Sequence, residues 1–152
     1  MRSDAAALLL AATLPEFNLL GVNVNCPSKY SVSAASAILA HYGKADVPVG
    51  ALRPLKGNAF FDDWRFELGE FCSKVAYHWS GGTVPFGEEE EKSLDSVDLY
   101  RKLLANAADQ SVTIVSIGFL DSVGSKYLFI VSMLKFCSSP RCLIPARTLI
   151  LL

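Results

Sequence analysis

The sequence predicts an α/β fold with a mostly parallel sheet flanked by helices. Segments of helical and strand character alternate along the chain, as in such folds. The strand candidates are continuous apolar runs, which is typical of strands buried on both faces. The composition of the 152 residues, 51% hydrophobic and 19% charged, fits a globular domain and excludes a disordered chain.

The first half of the chain predicts a helix, a strand and a second helix. Ser3 or Asp4 can cap the first helix, and Pro15 ends it. Residues 17–24 are an apolar run that predicts a strand, and residues 25–28 predict a loop. Residues 31–42 are rich in alanine and predict a helix, with Gly43 placed to terminate it.

The second half adds shorter elements. Residues 47–49 predict a short strand at most, and residues 60–79 predict a helix. Residues 88–91 are four glutamates and predict an exposed loop. Within 97–104, apolar residues recur on one helix face, and residues 112–117 predict a buried strand.

Two features depart from a regular α/β pattern. The first predicted element is a helix, whereas a helix in a parallel sheet normally follows a strand. We therefore expect a domain truncated at both ends, with an open sheet edge where that strand would lie. The tail contains no Asp or Glu from residue 122 onward. We divide the chain into a partial domain, 1–122, and a divergent apolar tail, 123–152.

Charge, hydropathy and motifs exclude several function classes. The net charge of −1 gives no support for nucleic-acid binding, and no apolar run reaches the roughly 20 residues of a membrane span. The N-terminus imitates a signal peptide, but Asp4 and Pro15 interrupt it, so we expect a cytoplasmic protein with secretion as the alternative. Phosphate-loop, dinucleotide-binding and nucleophile-elbow motifs are absent from the sequence.

A series of short segments carries a family resemblance. In chain order these are SDAAALL (3–9), PEFNLLGV (15–22), DVPVGA (46–51), RPL (53–55), YHWSGG (77–82) and VTIVSIGFL (112–120). Together they resemble the inosine/uridine-preferring nucleoside hydrolases, and the fungal-type members most closely. The resemblance spans residues 4–122 and stops before the tail.

This resemblance implies hydrolysis of the N-glycosidic bond of ribonucleosides by a water bound to Ca²⁺. The transition state of such a reaction resembles an oxocarbenium ion, and Ca²⁺ takes six to eight oxygen ligands. By resemblance, Asp4 matches the last aspartate of the calcium-binding cluster, and Ile117 matches a position whose backbone carbonyl binds the ion. Asn25 lies near the family's ribose-contacting asparagine, and His78 matches a histidine of the active-site rim.

Each of these residues also has a simpler structural interpretation. Asp4 can be a plain helix cap, Asn25 a turn residue, and His78 a residue that packs near Trp79. No catalytic residue set is intact, because the other aspartates, including the general base, have no counterpart here. We therefore expect weak hydrolase activity or none.

Two alternatives to an enzyme remain at this point. The first is a non-catalytic scaffold or interaction protein that forms a homo-oligomer or pairs with a full-length relative through the open sheet edge. The second is a truncated gene model with no independent activity.

Overall fold

The computed structural model describes residues 2–26, 28–52, 67–88, 92–108, 111–117 and 148–151. Within these ranges the helices are α1 (Arg2–Thr13), α2 (Ser31–His41), α3 (Glu67–Trp79) and α4 (Ser96–Ala105). The strands are β1 (Leu19–Val24), β2 (Val49–Ala51), β3 (Leu94–Asp95), β4 (Thr113–Ser116) and β5 (Thr148–Leu151). The predicted α/β class is confirmed.

All five strands form one parallel sheet in the order β3-β2-β1-β5-β4. β1 lies at its centre, with Val22 opposite Val49 on one side and opposite Ile150 on the other. Because parallel strands need crossover connections, the helices between them cover the faces of the sheet.

The open edge expected from the missing strand does not lie beside β1, which has a neighbour on each side. The position next to β1 on the side away from β2 is occupied by β5, which belongs to the tail and pairs with both β1 and β4. Its sequence, TLIL, is apolar and partly β-branched, so it suits a strand with neighbours on both sides. The last described residues of the tail are thus part of the sheet, and pairing with a relative at this position would require their displacement.

The two faces of the sheet carry different helices. Val22 and Val24 point toward α1 and α2, where they join a buried cluster with Leu8, Ile38 and Leu39. Side chains alternate along a strand, so Asn23 points to the opposite face, where its amide nitrogen Nδ2 donates to the Ser96 carbonyl of α4. Helix α3 packs on α2 through Ala34, Cys72 and Ala76.

Several element boundaries differ from the predictions for local reasons. Helix α1 begins at Arg2, so Ser3 and Asp4 lie inside its first turn and do not precede it as caps. The second strand covers Val49–Ala51 and not 47–49. Proline has no N–H for a strand ladder, so Pro48 contributes only its carbonyl, which accepts from the Val22 N–H.

Other predicted segments are described only in part. The helix predicted over 60–79 is described from Glu67, and residues 53–66 lie outside the described ranges, as do 89–91 of the predicted acidic loop. Gly43 ends α2 with a φ of 75°, as predicted. Among the described helices, none combines the length and the apolar character needed to cross a bilayer.

Candidate functional site

The carboxyl ends of the strands define the edge on which a site is expected. Strands β1, β2 and β3 follow one another outward, whereas β4 lies on the other side of β5, so the strand order reverses between β1 and β4. Open α/β sheets bind ligands at such a reversal, outside the carboxyl ends of the strands. The described residues that follow these two strands are Asn25, Cys26 and Ile117.

Asp4 lies at this edge. It is half-buried in the first turn of α1 and lines a small pocket of about 50 Å³ together with Val24 and Cys26, which end and follow β1. Ser31, at the start of α2, and Cys72 of α3 also line this pocket. The remaining lining is apolar, and comprises Ala5, Leu8, Ala34, Ala35, Ile38 and Phe71. A mostly apolar pocket with one described carboxylate in its lining is therefore the central feature of the candidate site.

Neither Asn25 nor Ile117 lines this pocket. Asn25 is half-buried and follows β1 directly. Ile117 follows β4, and its side chain is 37% exposed. Asn23 of β1 and Ser116 of β4 are both in register with Leu151 of β5, which lies between those two strands. The residues that follow them, Val24 and Ile117, are therefore at the same level of the sheet.

That intervening strand sets the distance from β1 to the Ile117 carbonyl. Two strand spacings amount to about 9.5 Å. Ligands on opposite sides of one Ca²⁺ are only about 5 Å apart. By this measure the backbone after β1 and the Ile117 carbonyl lie farther apart than two ligands of one Ca²⁺.

His78 lies away from the Asp4 pocket. It is exposed in the last turn of α3, with its ring edge-on to Tyr77 at 5.1 Å between centroids. Cys72, which lines the pocket, is six residues earlier on the same helix, or about 9 Å along its axis. The histidine that stacks on Trp79 is His41, at 4.4 Å. Trp79 thus takes a ring contact from α2, while His78 beside it is exposed.

The described residues do not form a metal centre. Within those ranges, no group of three or more His, Cys, Asp or Glu side chains is placed to hold a metal ion. The calcium ligands implied by the resemblance reduce to the Asp4 carboxylate and the Ile117 carbonyl, which do not share a pocket. Two separated oxygens do not fit a shell of six to eight.

A larger groove lies between α1, α2 and α3, and the sequence analysis did not predict it. It has a volume of about 270 Å³ and is lined by Ala5, Ala6, Leu9, Ile38, Tyr42, Phe71, Val75 and Trp79. Trp79 is 44% exposed at one end of it. Amphipathic helices reveal which residues they bury, but the groove depends on how three helices pack together, which their separate sequences do not specify.

A buried polar cluster lies on the opposite face of the sheet. Asn23 of β1 meets Ser96 and Tyr100 of α4, and all three side chains are buried. Burial raises the pKa of Tyr100 to about 12, and the nearby Asn23 side chain offsets part of that shift. The only sequence signal for this cluster was an asparagine inside an apolar strand.

Comparisons of the chain with known protein families, with curated proteins and with solved structures find no match. The fold and the site geometry define the class of protein as a parallel α/β domain with a candidate site at the carboxyl edge of its sheet.

Proposed function

We propose that this chain is a nucleoside-hydrolase-like domain that binds the ribose moiety of a nucleoside at the carboxyl edge of its sheet and has weak hydrolase activity or none. The observation that supports the proposal most strongly is the position of Asp4. It places a carboxylate in the lining of a pocket directly beyond β1, at the reversal of strand order. A carboxylate there can accept hydrogen bonds from sugar hydroxyls.

The same geometry argues against efficient catalysis. Glycosidic hydrolysis needs a carboxylate that takes a proton from the attacking water, together with groups that stabilise an oxocarbenium-like transition state. Among the described residues, Asp4 is the one acidic residue lining the pocket, and His78 lies at the far end of α3. Because the described oxygens do not fit a calcium shell, we assign no catalytic step to a metal.

The direct test is hydrolysis of inosine and uridine by the purified full chain with excess Ca²⁺, followed as release of free ribose. We expect no release above that of an Asp4→Asn variant, which keeps the size and polarity of the side chain but removes its charge. Robust turnover that depends on Ca²⁺ and is lost in Asp4→Asn would contradict the proposal.

A second candidate function is a non-catalytic interaction protein, and one observation favours it. The groove between α1, α2 and α3 is lined by apolar and aromatic side chains, and one of them, Trp79, is 44% exposed. Monomeric proteins rarely expose large contiguous apolar patches. A homo-oligomer would be detected by size-exclusion chromatography at several concentrations, and a Trp79→Gln variant, which changes an exposed lining residue of the groove, would shift it toward the monomer.

A calorimetric titration with Ca²⁺ distinguishes an active hydrolase from the two functions proposed above, a weak or inactive hydrolase-like domain and a non-catalytic interaction protein. An enzyme of the implied type requires specific Ca²⁺ binding, and the incomplete ligand set predicts none. The cytoplasmic location stays a prediction of the sequence.

A further inference from the structure

Four buried side-chain oxygens in the described part of the chain lack a hydrogen-bond partner there. They are Asn23 Oδ1, Ser96 Oγ, the Tyr100 hydroxyl and Ser111 Oγ. Buried polar groups in native proteins are nearly always paired, either with protein atoms or with ordered water. An unpaired buried polar group is destabilising, so several of them in neighbouring residues call for an explanation.

Three of these oxygens belong to buried residues of β1 and α4. Asn23, Ser96 and Tyr100 are 1%, 0% and 3% exposed. The Asn23 amide donates to the Ser96 carbonyl at 3.4 Å, which brings the first two residues together. Ser96 and Tyr100 are four residues apart on α4, so their side chains lie on the same face of the helix. We call these three residues the β1–α4 polar cluster.

The chemistry of the cluster is complementary. Since burial raises the pKa of Tyr100 to about 12, its hydroxyl is a proton donor at neutral pH. Asn23 Oδ1 can only accept, and the Ser96 hydroxyl can donate or accept. Asn23 acts on Tyr100 as a hydrogen-bonding group that lowers the phenol pKa, but the contact between the two side chains falls short of full hydrogen-bond geometry, so the Tyr100 hydroxyl and Asn23 Oδ1 both lack a partner at that geometry.

Gly50 makes room for this arrangement. A Cβ atom at that position would lie 2.3 Å from Asn23 Oδ1 and 2.9 Å from Leu99 Cδ2. Strand β2 thus carries no side chain at Gly50, the position opposite Asn23, whose side chain points toward α4.

We propose that one internal water molecule bridges the β1–α4 polar cluster. It accepts hydrogen bonds from the Tyr100 and Ser96 hydroxyls and donates one to Asn23 Oδ1. A direct bond from Tyr100 to Asn23 would pair two of the three oxygens and leave Ser96 Oγ unpaired. A buried water typically makes about three hydrogen bonds and so pairs all of them. The water joins the central strand to the helix on the opposite face from α2.

A crystal structure of the full chain, at a resolution that shows ordered water, tests the proposal directly. We expect a density peak at about 2.7–3.2 Å from Asn23 Oδ1, Ser96 Oγ and the Tyr100 hydroxyl. A Tyr100 hydroxyl bonded directly to Asn23, with no water beside it, would overturn the proposal.

Coupling between variants gives a second test in solution. Tyr100→Phe, Ser96→Ala and the double variant are compared by urea unfolding. If the two hydroxyls bind the same water, their effects on stability are not independent. The factor by which the double variant changes the unfolding equilibrium constant should then differ by at least about twofold from the product of the two single-variant factors. As a control, Tyr100→Phe is combined with Ser33→Ala. The Ser33 hydroxyl donates to the Tyr30 carbonyl at the start of α2, so we expect the two effects on the unfolding equilibrium constant simply to multiply. A simple product for Tyr100 and Ser96 as well would refute the shared water.

Discussion

Ser36 holds the loop after α3 against helix α2. Its hydroxyl accepts from the Val84 N–H at 3.0 Å and donates to the Gly81 carbonyl at 3.2 Å. The loop can approach this closely because Gly82 has no side chain. A Cβ at Gly82 would lie 2.4 Å from Ser36 Oγ and 2.7 Å from the Ser36 carbonyl oxygen. The glycine pair in the sequence is thus explained by a close contact between elements.

Replacement of Gly82 by alanine therefore tests this contact, and Gly43 provides a matched control. Both residues have a φ of 75°, so both alanine variants carry the same backbone strain, on the order of 1 kcal/mol. Nothing lies within 4 Å of a Cβ at Gly43. We expect Gly82→Ala to lose about 1–3 kcal/mol more than Gly43→Ala in urea unfolding. Equal losses would show that the loop does not contact Ser36 this closely.

The buried phenol of Tyr100 gives the stability a pH dependence. Its pKa rises from an ordinary value of 10 in the unfolded chain to about 12 in the fold. The folded state therefore holds the proton more tightly, and the stability it contributes is complete below pH 10 and lost between pH 10 and about 12. The loss amounts to roughly 3 kcal/mol. Urea unfolding across this range should show a flatter decline for Tyr100→Phe, and an unchanged decline would contradict the assignment.

At the scale of elements, local patterns predicted most of the helices and strands. Helix α4 follows from apolar residues at helical spacing and an Asp95 side chain that accepts from the Val97 N–H. β3, with only two residues, is too short for any pattern, and β5 was missed for a different reason. Its pairing with β1 joins segments more than 120 residues apart, and nothing local specifies such a contact.

A proline in β5 tests whether the tail is a structural part of the sheet. Ile150 lies between Val22 of β1 and Val115 of β4. Ile150→Pro removes a backbone donor in a central strand and should cost at least about 1–3 kcal/mol. Ile150→Val keeps the donor and the β-branched shape and serves as the control. Equal unfolding midpoints for the two variants would show that β5 is not held in the sheet.

At the scale of the whole molecule, the sequence predicts those parts of the candidate site that depend only on the order of helices and strands along the chain. The position of Asp4 beyond β1 follows from a helix that precedes a parallel strand. The separation of Ile117 from that pocket did not follow, because it depends on β5 lying between β1 and β4. The stacking of His41 on Trp79 likewise depends on how α3 crosses α2.

The central claim, a nucleoside-binding edge at the carboxyl end of β1, is tested most directly by a titration of the isotopically labelled full chain with inosine, followed by amide chemical shifts in NMR spectra. The account predicts that the amides of Asp4, Asn25 and Cys26 shift in a saturable manner, and that Asp4→Asn weakens the effect. Shifts confined to the α1–α2–α3 groove, or no saturable shifts at the carboxyl edge, would contradict it.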